Sequence, residues 1–248
     1  MAKRYAFDLH MHSCLSPCGG EDNTPANLAG MCALAGLEVV ALTDHNTVGN
    51  CAAFCQAAQR YGLLALPGME LTTSEEAHVV CLFPGLDEAA AFGALVRESL
   101  PPIENNPAVF GPQVLMDGED GISGEETAFL SGASSIGIYQ VFDLVRSFGG
   151  AAFPAHIDRP AFSLLASLGL WDSAMGFPLA EVSQNCPAGL FERPDLKGVA
   201  HFDGSDAHYL DQIRDAHQYM ELEERTPRAV LDWLLAGGPQ ARRRETPR

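Results

Sequence analysis

Residues 37–46 read Leu-Glu-Val-Val-Ala-Leu-Thr-Asp-His-Asn, an aliphatic run that ends in polar residues. The β-branched and aliphatic part of this stretch predicts a buried strand. Helices are predicted on either side of it, over residues 24–35 and 49–61. The first of them begins with a capping threonine and a first-turn proline and is stopped by Gly36. This alternation of strand and helix is typical of an α/β fold with a parallel sheet or barrel.

The alternation continues along the chain. Further strands are predicted at residues 5–12, 63–66, 78–83, 150–156, 179–183 and 199–206. Further helices are predicted at residues 139–148, 161–168 and 226–235. Most of the chemically active residues fall at the C-terminal ends of strands, where parallel α/β folds place their sites. His78 instead opens its strand, which predicts a local antiparallel pair or an irregular barrel.

Residues 86–135 break this pattern. One helix is predicted near residues 87–99, and the rest is rich in proline, asparagine, glycine and acidic residues. We interpret the segment as an insertion that covers one side of the site. It could serve as a lid, a small subdomain or a dimer contact, so an oligomer remains open as a partner.

Composition narrows the classes of function. The 248 residues include 32 acidic and 15 basic ones, a formal net charge of −17. Such a field repels nucleic acid, so long nucleic acid is not expected as a partner. We also expect no membrane partner and a cytoplasmic location, since no apolar run reaches the roughly 18 residues that span a bilayer and no secretory signal is recognisable. The cysteines number seven, an odd count that argues against a disulfide framework.

Six of the eight histidines lie in short clusters, each beside a carboxylate, a glycine or a predicted strand end. The clusters are Asp8-Leu9-His10-Met11-His12, Thr43-Asp44-His45-Asn46, Gly68-Met69-Glu70 with His78, Pro154-Ala155-His156 and Gly204-Ser205-Asp206-Ala207-His208. Imidazole and carboxylate ligands together suit zinc, manganese or iron. A buried histidine costs desolvation unless it has a partner, so this many at equivalent strand ends favour metal binding over core packing.

Four of these motifs resemble the PHP family, named for polymerase and histidinol phosphatase. They are Asp-Leu-His-Met-His-Ser at 8–13, Thr-Asp-His-Asn at 43–46, Gly-Met-Glu at 68–70 and Ser-Asp-Ala-His at 205–208. The resemblance implies a distorted (β/α)7 barrel formed by residues 1–85 and 136–240, with the insertion at 86–135 and a flexible tail at 241–248. It also implies two to three divalent metal ions (zinc, manganese or iron) in a cleft at the strand C-terminal ends.

The resemblance also implies which residues bind these ions. The first ion would be held by His10, His12, Glu70 and Asp206. Glu70 would bridge to a second ion held by His78 and His156, and His45 and His208 would hold a third. Cys18 stands where the family commonly has histidine or aspartate, and a thiolate there would favour zinc or iron. Glu21 or Asp22 could take its place if the loop is shifted.

The chemistry that this arrangement favours is hydrolysis of a phosphoester. Two ions roughly 3.5–4 Å apart can provide a hydroxide at neutral pH and hold the phosphoryl oxygens. Glu70, Asp206 and Arg159 are the residues predicted to serve catalysis. Arg159 lies three residues after His156 and could grip a phosphate with two hydrogen bonds. The alternative for Arg159 is a surface ion pair with Asp158 or another acid.

We therefore predict a metal-dependent phosphoesterase that acts on a small phosphorylated metabolite or nucleotide. The alternatives are an exonuclease on short oligonucleotides, a histidinol-phosphatase-like enzyme, or a non-catalytic metal-binding regulatory module. An exonuclease would need aromatic side chains for stacking, and Phe83, Phe110 and Tyr139 are candidates. Asp44 and Glu181 have either supporting roles at the site or ordinary ones, and His201 and His217 are predicted to be structural.

Overall fold

The computed structural model describes residues 1–238, which form ten strands and seven α-helices. The strands are β1 (Lys3–Asp8), β2 (Val39–Leu42), β3 (Leu64–Thr72), β4 (His78–Leu82), β5 (Val114–Met116), β6 (Ile122–Glu125), β7 (Ala151–Pro154), β8 (Leu179–Val182), β9 (Ala200–Asp203) and β10 (Tyr219–Leu222). The helices are α1 (Pro25–Leu34), α2 (Cys51–Arg60), α3 (Leu86–Ser99), α4 (Pro107–Phe110), α5 (Ile138–Ser147), α6 (Leu164–Leu168) and α7 (Pro227–Leu235). The tail predicted at 241–248 lies outside the described residues.

Six strands form the main sheet in the order β10-β1-β2-β3-β4-β7. Strands β1, β2 and β3 run parallel, as the strand–helix alternation predicts. Strand β4 pairs antiparallel with both β3 and β7. This reversal explains why His78 opens its strand, because the start of β4 lies at the same edge of the sheet as the ends of its neighbours.

The sheet curls so that the pair β8–β9 fills the space between β7 and β1. Strands β8 and β9 run parallel. Beyond β7, the Ile157 N–H donates to the Glu181 carbonyl oxygen at 2.9 Å, and beyond β1 the His12 N–H donates to the Ala207 carbonyl oxygen at 2.9 Å. The predicted α/β class is confirmed, with a curled, half-barrel sheet. The count of seven strand–helix units stays a prediction.

Aromatic side chains fill the interior of the curled sheet. Phe202 of β9 packs edge-on against Phe7 of β1 and Phe153 of β7, with ring centroids 5.6 and 5.0 Å apart. Trp233 of α7 packs on the other side of Phe7 at 5.4 Å. Burying each such ring contributes roughly 1.5–3 kcal/mol. These contacts bring the ends of β1, β7 and β9 to one edge of the sheet, and that edge carries the histidine motifs.

Residues 86–135 contain α3, α4 and the hairpin β5–β6. Helix α3 buries Phe92 and Val96 against the main core. Further along, the Asn46 side chain donates to the carbonyl oxygens of Leu130 at 2.7 Å and Gly132 at 2.9 Å. This segment is therefore held against the loop that carries His45. Its division from the barrel as a separate unit stays a prediction.

Two features of the sheet differ from the sequence-based expectation. Strand β1 ends at Asp8 rather than at residue 12, since a side-chain oxygen of Asp8 accepts from the N–H groups of His10 and Ser205, both at 3.3 Å. Strand β10, which pairs antiparallel with β1, was not predicted. It is a four-residue edge strand, too short for a clear pattern.

Among residues 1–238, no helix is long and apolar enough to cross a membrane.

Candidate metal centre

The eight histidine and carboxylate residues predicted as metal ligands converge on one buried cluster. Glu70 lies at its centre. The Glu70 Oε1 atom lies 2.9 Å from His78 Nδ1 and 3.0 Å from His156 Nε2, and Oε2 lies 3.0 Å from His45 Nδ1. These contacts join residues from three separate clusters, because β2, β3, β4 and β7 deliver their side chains to the same edge of the sheet.

Asp206 forms the second acidic point of the cluster. Its Oδ1 atom lies 3.2 Å from His10 Nε2 and 3.1 Å from His12 Nε2. The two imidazoles also face each other, with their Nε2 atoms 3.2 Å apart. Two neutral nitrogen lone pairs at that distance repel each other, so a proton or a metal cation between them is favourable.

Within the described residues, three overlapping groups of side chains have ligand atoms within 4.8 Å of one another. They are His10 with His12, Glu70 and Asp206; His45 with Glu70 and His78; and His12 with His45 and His208. The first group coincides with the ligand set implied for the first ion. The second group contains His45 where the set implied for the second ion has His156. The third group adds His12 to the implied pair of His45 and His208.

Hydrogen bonds at the outer ring nitrogens orient His10 and His208. His10 Nδ1 donates to Glu181 Oε1 at 2.9 Å, because a carboxylate oxygen can only accept. His208 Nδ1 donates to the Asp206 carbonyl oxygen at 2.8 Å. In both rings the bound Nδ1–H leaves Nε2 free to bind a cation, the usual arrangement of metal-binding histidines.

His12 is oriented through a relay of two side chains. Its Nδ1 lies 3.0 Å from Ser16 Oγ, which in turn donates to Asp44 Oδ1 at 2.7 Å. The hydroxyl has one hydrogen, so it accepts from His12 and passes the interaction to Asp44. Asp44 is buried and also accepts from the Ser13 hydroxyl at 2.6 Å. Asp44 therefore supports the cluster rather than lying on the surface.

The charges of the cluster shift its pKa values strongly. Burial alone would raise the pKa of Glu70, but the imidazoles of His78 and His10 hold it well below the usual carboxyl range. Burial alone would lower the pKa of His12, yet hydrogen bonds to Asp206 and Glu70 raise it to about 9. For His208, burial and the neighbouring His12 lower the pKa to about 3. The cluster thus keeps its carboxylates ionised while some imidazoles stay neutral.

These residues fit divalent metal ions. The buried atoms Glu70 Oε2, Asp206 Oδ1, Asp206 Oδ2 and His156 Nδ1 have no hydrogen-bond partner of good geometry within the described chain. An unpartnered buried carboxylate oxygen is costly, and a coordinated cation removes that cost. Neutral imidazole with carboxylate is also the donor set of zinc, manganese and iron sites.

Backbone strain accompanies the convergence of these ligands. His156 and Asp206 have φ angles of 27° and 48°, in the left-handed region that non-glycine residues rarely adopt. His156 comes two residues after the end of β7 and Asp206 three residues after the end of β9, where the chain must turn its side chain inward. Such strain persists where the surrounding structure holds it and is concentrated at functional sites.

The cluster forms the floor of two adjoining cavities. One, of about 290 Å³, is lined by Glu70, His45, His78, His208 and Phe162 among others. The other, of about 360 Å³, is lined mainly by residues 183–187 and 204–205. His156, Arg159 and Asp206 border both. The Arg159 guanidinium lies 2.6 Å from Asp206 Oδ2, and its side chain is 43% exposed, so it faces both the cluster and the solvent.

The remaining candidates from the sequence take varied positions. Cys18 is exposed and lines the smaller cavity beside His45, outside the three ligand groups. His201 stacks on Phe191 with ring centroids 3.6 Å apart, and His217 pairs with Asp203 at 2.9 Å, so both lie outside the cluster. Phe83 is fully buried and cannot stack with a base.

Sequence reasoning left Glu181 undecided and did not single out Ser16 or Phe162. Glu181 is buried and accepts from both the His10 ring and the His156 N–H, the latter at 3.2 Å. A Cβ atom at Gly204 would lie 2.4 Å from this carboxylate, so a glycine is needed there. No local motif marks these roles, since each depends on contacts between residues distant in the chain.

Comparison with known families identifies part of the chain. Residues 8–111 match the family described as PHP domain. This match covers the motifs at 8–13, 43–46 and 68–70, so the resemblance drawn from them is confirmed. Among curated proteins, none matches the sequence of the chain.

Solved structures resemble this chain in fold. The lesion-specific endonuclease PfuEndoQ from Pyrococcus furiosus aligns over 96% of this chain with a TM-score of 0.70 and 16% identity, and the alignment covers 57% of the endonuclease. A candidate metal-dependent phosphoesterase from Bifidobacterium adolescentis aligns over 96% of this chain and 98% of its own, with TM-score 0.57 and 17% identity. An amidohydrolase from Chromobacterium violaceum aligns over 86% of this chain and 90% of its own, with TM-score 0.57 and 22% identity.

The expectation that long nucleic acid is not a partner is wrong. A structure of Endonuclease Q with a 27-mer duplex that has an abasic lesion at the active site shares this fold, with TM-score 0.68 and 15% identity over 96% of this chain and 58% of that one. The formal charge of −17 does not exclude such a substrate. Bound cations, rather than the charge of the whole surface, determine the sign of the field inside a metal cleft.

Divalent metal is expected to stabilise this chain through Glu70. At 100 times the dissociation constant, a bound ion adds about 2.7 kcal/mol, which raises Tm by about 5–10 °C for a chain of this size. Glu70→Gln removes the central charge and should abolish most of the rise. Thermal unfolding with and without zinc or manganese measures this effect. Glu98→Gln, at an exposed position of α3, should keep the full rise, and an equal rise in the Glu70 variant would contradict the assignment.

Glu181→Gln is expected to weaken metal binding about 10- to 100-fold, as is typical when the partner of a metal-binding histidine is changed. The amide keeps the size of the side chain but loses the charge that orients and polarises His10. Competition with a chelating dye measures the affinity. Glu192→Gln, at an exposed position, is the matched control, and equal affinities in both variants would show that Glu181 does not support the site.

Proposed function

We propose that this chain is a metal-dependent phosphoesterase. The observation that carries the proposal is the pair of buried carboxylates, Glu70 and Asp206, whose oxygens face imidazoles and lack hydrogen bonds of good geometry, on the floor of an open cavity. Beside them lies the partly exposed guanidinium of Arg159. A phosphoryl group needs several positive or donating groups around its oxygens, and this arrangement can provide them.

Each residue of the cluster has a defined task in this proposal. His10, His12, Glu70 and Asp206 would hold one ion; Glu70 would be shared with a second ion near His78 and His156; and His45 and His208 would contribute to a third, with Cys18 nearby. Bound divalent ions supply an activated water at neutral pH and offset the charge of the phosphoryl oxygens. Glu181 and the Ser16–Asp44 relay keep the imidazoles turned toward the ions.

Arg159 would bind the substrate phosphate. Its contact with Asp206 places the guanidinium at the cluster, and its exposed N–H groups are free for a second acceptor. A guanidinium donates two parallel hydrogen bonds to a phosphate but gains less from a neutral amide carbonyl. This supports phosphoester over amide hydrolysis, the other reaction suggested by the amidohydrolase likeness.

A second candidate is cleavage of a phosphodiester within a nucleic acid strand. The two cavities meet at Arg159 and Asp206, which leaves space on both sides of a phosphate bound there. A phosphodiester needs that space, because groups extend from two of its oxygens. The likeness in fold to an endonuclease is in line with this candidate, and this chain corresponds to little more than half of that protein.

Turnover of defined substrates tests the proposal. Chain reconstituted with zinc, manganese or iron is assayed on a nitrophenyl phosphate, a bis-nitrophenyl phosphate, a nucleoside monophosphate and an abasic duplex. We expect hydrolysis of at least one phosphoester and none by Glu70→Gln. Preference for the diester and duplex would favour the second candidate. Metal uptake without hydrolysis of any substrate would contradict the proposal and favour a regulatory metal-binding module.

Arg159→Ala is expected to lower kcat/KM about 10- to 100-fold, because it removes a charged hydrogen-bond donor worth about 1.5–3 kcal/mol. Metal content should stay unchanged, and Arg159→Lys should restore part of the activity. Steady-state kinetics with metal analysis measures both quantities. Arg97→Ala, on the exposed side of α3, is the control. A loss of metal in step with activity would instead indicate that Arg159 supports Asp206 only.

A further inference from the structure

An exposed aromatic ring lies at the rim of the metal-lined cavity. Phe162 is 51% exposed, and its side chain lines the same cavity of about 290 Å³ as Glu70, His78 and His208. Single exposed apolar side chains are common on protein surfaces, so the weight lies on where this ring stands, beside a polar cluster in a cavity. None of the sequence motifs includes this residue.

The backbone at Phe162 is strained. Its φ angle is 53°, in the left-handed region where a bulky side chain is a true outlier. Glycine or asparagine would adopt this conformation more easily. An aromatic residue at a position that favours glycine, with half its surface in solvent, is not explained by packing alone. Strained residues of this kind are found at ligand clamps.

Hydrogen bonds at each end hold the loop that presents Phe162. The His78 N–H donates to the Phe162 carbonyl oxygen at 3.1 Å. Ser163 Oγ donates to the Arg159 carbonyl oxygen at 2.6 Å and caps helix α6 by accepting from the Ala166 N–H at 3.1 Å. Arg159 and Phe162 therefore stand on one rigid turn, so a phosphate at the first residue defines where the rest of a substrate meets the second.

One face of the Phe162 ring is covered and the other is open. The ring stacks on His78, with centroids 5.1 Å apart and planes inclined by 24°. Since His78 covers one face and the residue is half exposed, the opposite face is available to a ligand. A flat, uncharged face that is fixed in position attracts another flat ring by stacking.

We propose that Phe162 is the platform on which a nucleobase of the substrate stacks while its phosphate lies at Arg159 and the metal cluster. This inference rests on the proposed phosphoesterase function and names the substrate class as a nucleotide. The base belongs either to a free mononucleotide or to a nucleotide of a strand, because both present the same ring and phosphate. A sugar phosphate without a base has no flat ring and would gain nothing from this position.

The test compares substrates with and without a base. In Phe162→Leu, KM for a nucleoside monophosphate should rise roughly 5- to 150-fold, the range found for loss of one stacked base. KM for ribose phosphate should not change. Phe162→Tyr keeps the ring and should retain the affinity of the unmodified chain. Phe191→Leu is the matched control, since Phe191 also stacks on a histidine but lies outside both cavities.

A binding measurement separates this inference from the proposed function. Calorimetry with a nucleoside phosphorothioate, a single-stranded oligonucleotide and a duplex is carried out on the metal-loaded chain and on Phe162→Leu. Weaker binding of the variant supports the inference even if no phosphoester is hydrolysed, and the preferred ligand identifies the source of the base. Equal losses for base-containing and base-free substrates, or no loss in either, would overturn it. Thermal unfolding checks that Phe162→Leu is folded.

Discussion

The compensation of two buried negative charges governs the arrangement of this structure. Glu70 and Asp206 are buried close together, and two carboxylates so placed repel each other. Imidazoles surround them, but the imidazoles cannot all be protonated, since each positive ring disfavours charge on the next. The low pKa of His208 beside the raised pKa of His12 shows this limit. Divalent cations can take the place of the protons on the imidazoles whose pKa is raised, which is why the cluster suits them.

The backbone brings these groups together by ending its strands early. Strands β1, β7 and β9 each stop before the ligand that follows, and the chain then turns sharply, at His156 and Asp206 with positive φ. Glu181 ties these turns together through the His10 ring and the His156 N–H. The cost of the turns is offset by buried hydrogen bonds and by the aromatic core beneath them. The same contacts therefore stabilise the fold and determine the geometry of the site.

The convergence of these residues could be predicted from the sequence because each sits in a short motif at a strand end, where fold class alone indicates its direction. His78 was also informative, since its place at the start of a strand predicted the reversal of β4. Glu181 and Phe162 could not be recognised in the same way. Their roles arise from partners more than 80 residues away, and the left-handed turn at Phe162 has no signature in a segment without glycine. Edge strand β10 was missed because four residues carry too little pattern.

The contrast between total charge and local field explains the incorrect prediction about nucleic acid. A net charge of −17 describes the whole surface and acts over distances that salt screens within about 8–10 Å. Inside the cleft, the Arg159 guanidinium and cations at the carboxylates would set the sign of the field. The turn from His156 to Ser163 then joins a predicted metal ligand, a cationic side chain and an aromatic ring within eight residues. In the proposed function a substrate would be recognised by its phosphate and its flat ring at this turn, so recognition would depend on these local groups and little on the acidic surface around them.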